Sequence, residues 1–142
     1  MSMTDKLACA ELASLWTFHI DRHDVDAVVA LFAEDAALHG RQGQVLKGRE
    51  IIRKGLSRRD PNRVTRHVLA PPVIFLTGAD TAEGVADYVL FDGFRDHHPG
   101  VETLPASAPL AVGEFHQTYC RTDEGWLIAS HKGNSIFRRP EE

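Results

Sequence analysis

The chain has 142 residues, and its 43% hydrophobic content suffices for one core with room for a cavity, so residues 1–142 read as a single domain. A net charge of −4, with Glu34, Asp35, Glu50 and Asp60 set near the basic cluster Arg49, Arg53, Lys54, Arg58 and Arg59, argues against a nucleic-acid surface. No apolar run approaches the roughly 20 residues that cross a bilayer. Met1 to Lys6 open no leader-like segment, and Cys9 and Cys120 lack CxxC spacing, so the expectation is a cytoplasmic protein without membrane partner, disulfide framework or zinc site.

In chain order, Thr4 is the expected cap of a helix running to about Asp21, with Ala8, Leu12, Leu15 and His19 on its apolar stripe. Asp24 caps a second helix, because Val25, Val28, Val29 and Phe32 fall at helical intervals. Ala36 to His39 reads as a short strand, Gly40 to Gly43 as a turn and Val45-Leu46 as a returning strand. A third helix starts near Arg49, buries Ile51, Ile52 and Leu56, and stops before Pro61. Beyond it the pattern changes to long β-segments: Val64 to Leu76, Thr81 to Phe94, Leu110 to Thr122 and Gly125 to Arg138. Helices followed by strands give an α+β fold. Pro71-Pro72, Gly84 and Gly113 predict bends, so the sheet should curl around the helices as a cone with a central pocket. The segment Arg95 to Pro109 is long enough to form a flap over its mouth.

Alternation on the first long strand puts Thr65, His67, Leu69, Val73 and Phe75 on one face. A histidine there is either a core residue bonded to backbone or a proton acceptor whose ring is oriented by a carboxylate, and Asp21 is the candidate carboxylate. Other candidates for the pocket wall are His19, Tyr88 and His116, each with a packing role as the alternative. His23, His97 and His98 lack metal-ligand spacing, so no metal is expected.

His19-Ile20-Asp21-Arg22-His23-Asp24, Ala30 to Ala36, Gly48-Arg49-Glu50-Ile51-Ile52, Thr65-Arg66-His67 and Gly113-Glu114-Phe115 leading to Trp126 recur in the order found in SnoaL-like proteins of the nuclear-transport-factor-two-like superfamily. The chain resembles that family over nearly its whole length. The resemblance implies a cone-shaped α+β barrel, three N-terminal helices on a bent, mostly antiparallel sheet, assembled as a homodimer or homotrimer. The chain is more distantly similar to scytalone dehydratase and hexachlorocyclohexane dehydrochlorinase, which pair a helix-end aspartate with a strand histidine and use no cofactor. Asp21 and His67 match those positions, His67 as base and Asp21 as its orienting partner. A basic residue in the last strand of the dehydrochlorinase falls near Lys132, beside His131. The tyrosines of scytalone dehydratase are missing: Ile20 precedes Asp21, and Ala36 to Gly43 holds His39 instead. Its second histidine has no counterpart, Asp92 being the nearest polar residue.

The resulting expectation is a cofactor-independent lyase or isomerase acting on a small hydrophobic cyclic metabolite through an Asp-His dyad. The alternative is a non-catalytic ligand-binding or subunit-type domain, as in the small subunit of ring-hydroxylating dioxygenases.

Overall fold

A computed structural model describes residues 2–141; Met1 and Glu142, the ends of the expected domain, lie outside the described residues. Helix α1 (Met3–Asp21) is capped by Ser2, not Thr4, since the Ser2 hydroxyl accepts from the Asp5 N–H at 3.2 Å. Its buried face carries Cys9, Leu12, Trp16 and Ile20. This turns the predicted stripe by about one residue, because the four-residue spacing of Leu12, Trp16 and Ile20 buries more apolar surface than Ala8, Leu15 and His19 would.

Asp24 caps α2 (Val25–Ala30) through the Ala27 N–H, as predicted. The helix ends before Phe32, which instead opens strand β1 (Phe32–His39). The Ile128 N–H donates to Leu31 O at 2.8 Å, and this tertiary pairing overrides the helical period of the sequence. Strand β2 (Val45–Lys47) returns, and α3 (Arg49–Leu56) follows with Ile52 buried but Ile51 turned to solvent.

The remaining strands are β3 (Arg63–Leu69), β4 (Val73–Leu76), β5 (Thr81–Phe94), β6 (Ala111–Thr122) and β7 (Gly125–Arg138). They form a seven-stranded curved sheet ordered β2-β1-β7-β6-β5-β3, with β4 also on β5. Every pairing is antiparallel except β1 with β7. Pro71-Pro72 divides the predicted Val64 to Leu76 strand, because a proline carries no N–H for the ladder. The break inverts the alternation: Ile74 is buried, while Val73 and Phe75, expected beside His67, are exposed.

On β7, Thr118 pairs with Ser130 and Tyr119 with Ile128, leaving Ala129 as a bulge; Ile136 is a second one. Each extra residue bends the strand and shifts which side chains face inward. Helices and curved sheet together enclose a cavity of about 310 Å³. The segment after β5 does not cover it. Leu104, Pro105, Ala106 and Ser107 instead border a separate hollow of about 320 Å³ against β3 and β5.

Candidate active site

Helix α1 delivers Asp21 to the first residues of β3. The turn after it is held by His23, whose backbone takes a positive φ of 57° and whose Nε2–H donates to Arg63 O at 2.7 Å. That bond ties the end of α1 to the start of β3, a structural role the sequence reading missed. Asp21 is 5% exposed, and both its carboxylate oxygens are taken. Oδ2 accepts from the His67 backbone N–H at 2.7 Å; Oδ1 accepts from the Thr65 hydroxyl at 2.7 Å and faces His67 Nδ1 at 2.6 Å. Burial pushes the Asp21 pKa up, but the His67 ring, its charge, its N–H and the Thr65 hydroxyl together hold it below the ordinary carboxylate value.

With Nδ1–H donated to Asp21, the lone pair of His67 sits on Nε2. That atom has no partner among the described residues, and the ring lines the cavity. Antiparallel pairing of β3 with β5 puts Leu90 opposite His67 and Tyr88 opposite Leu69, so all face inward. Tyr88 lines the cavity, its ring 5.8 Å from that of His67. Its hydroxyl lies over Gly113, where any side chain would collide: a Cβ there would come within 2.7 Å of the phenol oxygen.

Three predicted wall residues lie elsewhere. His19 is on the flank of α1, its ring packed edge-on against Phe18 and outside the cavity. His116 faces outward because its neighbour Phe115 faces in, and its Nε2 meets Glu114 at 2.8 Å. Lys132 is exposed on that same outer face, paired across the ladder with His116. Asp92 also points away, toward Arg63 and Arg139.

The β7 bulge at Ala129 brings His131 inward in place of Lys132. His131 is 3% exposed and stacks on Trp16, with ring centroids 4.1 Å apart. The Tyr119 hydroxyl donates to Gln117 Oε1 at 2.7 Å, which orients the amide so that Gln117 Nε2 donates to His131 Nδ1 at 2.8 Å. The proton of neutral His131 therefore resides on Nε2, which has no partner among the described residues. Burial first, then the nearby His67 and His39, pull the His131 pKa down to about 3. A neutral N–H donor thus lines the same cavity as His67. His39, where a tyrosine was missing, also lines the cavity. Among the described residues, no cluster of His, Cys, Asp and Glu forms a metal site, and no helix is long and apolar enough to cross a membrane.

The α+β cone is an NTF2-like, cystatin-like fold, shared with an NTF2-like protein from Novosphingobium aromaticivorans. The model of the SnoaL-like domain matches residues 1–132, and the chain belongs to that family. No curated protein matches it. A candidate aromatic ring hydroxylase from Novosphingobium aromaticivorans is similar with a TM-score of 0.80 and 22% identity, over 96% of this chain and 92% of that one. A candidate scytalone dehydratase from the same organism gives 0.76 and 14%, over 99% and 89%. A ketosteroid isomerase-like protein from Erwinia carotovora gives 0.71 and 19%, over 93% and 97%. At these identities the likeness is one of fold.

Proposed function

We propose that the protein is a cofactor-independent lyase or isomerase that removes a proton from carbon next to a carbonyl in a small cyclic metabolite. The observation that carries this reading is the 2.6 Å contact between Asp21 and His67 Nδ1 at the wall of an open cavity. His67 Nε2 takes the proton, and Asp21 stabilises the imidazolium that forms. The C–H electron pair becomes the new C=C bond, while the carbonyl pair moves onto oxygen. That oxygen is where the His131 Nε2–H acts as a neutral donor, preorganised by Gln117 and Tyr119. Collapse of the enolate then expels a β-hydroxyl as water with the proton from His67, or takes the proton back at another carbon.

Support also comes from the lining, which is aromatic and aliphatic around a few placed polar groups, as small-molecule sites are. A scaffold subunit has no need of an open cavity lined by an imidazole nitrogen that has no partner among the described residues. The test uses cyclic β-hydroxy ketones and β,γ-unsaturated cyclic ketones, with formation of the conjugated product followed by its ultraviolet band. Turnover is expected in at least one series and should fall about 10²–10⁴-fold in His67→Ala, with the far-ultraviolet circular dichroism unchanged. Loss of folding in that variant would instead make His67 a core residue.

A further inference from the structure

Arg59 follows α3, and its side chain lines the same cavity. Among the described residues its Nε is buried without a hydrogen-bond partner, and its Nη2 has one long contact, 3.4 Å, to the Thr65 hydroxyl. Among the described residues no carboxylate forms an ion pair with it, although its neighbour Arg63 lies 3.7 Å from Asp92. Among the described residues no aspartate or glutamate lines the cavity. A guanidinium offers five N–H donors in a planar fork, and leaving it under-coordinated away from water is costly. Burial, then the proximity of Arg63, lowers its pKa against the opposing pull of Asp21, so the folded chain alone is a poor host for this charge.

An oxyanion placed in the cavity would supply such a partner, held by the guanidinium through two parallel N–H···O bonds. Arg41 and Arg138, exposed at the cavity mouth, form no ion pair among the described residues. They add a local positive field that draws an anion inward, even though the chain carries a net charge of −4. One partly buried guanidinium, with no carboxylate partner among the described residues, matches one negative charge. The remaining walls, including Trp16, Tyr88, Leu90 and Phe115, suit a ring.

We propose that Arg59 anchors a carboxylate, so that the cavity takes cyclic carboxylic acids in preference to neutral rings of the same shape. This rests on the reading of the cavity as the substrate site, but not on the dyad being catalytic. The proposal is tested by calorimetric titration with 2-naphthoate and its neutral isostere 2-naphthamide. The acid should bind at least about tenfold more tightly than the amide, a preference of the size expected for a charge-assisted bidentate pair. In Arg59→Gln that preference should vanish through weaker binding of the acid, with the amide unaffected; Arg59→Lys should keep part of it.

Equal affinity for both probes, a preference that survives Arg59→Gln, or no binding of either at millimolar concentration would overturn the anchor. If Arg59→Gln fails to fold, the wild-type preference and its retention in part by Arg59→Lys decide. A guanidinium whose task was only to brace Thr65 and Asp21 would not separate acid from amide. The titration reads binding without turnover. A preference for the acid in a protein that turns over nothing would remove the catalytic reading alone, and turnover without the preference would remove the anchor alone.

Discussion

Asp21 binds β3 with both carboxylate oxygens, through the His67 backbone N–H, the His67 ring and the Thr65 hydroxyl. The carboxylate therefore joins helix to sheet as well as orienting the His67 ring. Asp21→Asn keeps the shape but loses the charge, and hydrogen bonds to charged groups contribute about 1.5–3 kcal/mol each. We expect the variant to lose about 2 kcal/mol, read from its urea midpoint; an unchanged midpoint would show that the carboxylate has no structural share. The linkage has a definite sign. The folded pKa of Asp21 lies below the ordinary value of 3.8, so its stabilisation is full above that pH and is lost as pH falls through the folded value. His67 and Asp21 were legible from their positions at a strand start and a helix end. His131 was not, because its orientation depends on a bulge that alternation along the strand does not show.

At the scale of elements, the β6–β7 hairpin supplies the donor side of the site. His131 is neutral in the fold, with its pKa near 3 against 6.5 for a free imidazole. The unfolded chain binds this proton first, so stability should fall by up to about 1.4 kcal/mol per pH unit as pH drops from 6.5 toward 3. His131→Phe retains a ring against Trp16 and should flatten that slope in denaturation curves taken across the window; an equally steep slope would locate the linkage elsewhere. The same hairpin makes the close approach at Gly113, where an added Cβ would sit 2.2 Å from Asn134 O and 2.9 Å from Tyr88 Cζ. Gly113→Ala is expected to cost about 1–3 kcal/mol by overcrowding, measured by thermal unfolding.

Most elements were readable. The bounds of β5 and β7, the Asp24 cap and the start of α3 follow from alternation, capping chemistry and turn residues. The misread ones share a cause. Phe32 left its helix for a partner nearly a hundred residues away, and Val73 and Phe75 changed face across Pro71-Pro72, so pairing and pleat decided what local pattern could not.

For the whole molecule, the curled sheet leaves apolar side chains on its outer surface, with Val68 59%, Val73 56% and Phe75 51% exposed on β3 and β4. Exposed apolar surface of this kind commonly marks association. We propose a homodimer or homotrimer formed through it, and sedimentation at micromolar concentration should show that species; a monomer throughout would reject it. The fold otherwise frames a cavity between helix and sheet, lined by His67 and His131, whose Nε2 atoms have no partner among the described residues. The most direct measurement is deuterium incorporation from D₂O next to the carbonyl of cyclic keto acids, followed by proton NMR, because it asks only for C–H cleavage and not for a particular product. The account predicts exchange catalysed by the wild-type protein and abolished in folded His67→Ala. Exchange that persists undiminished in that variant would contradict it.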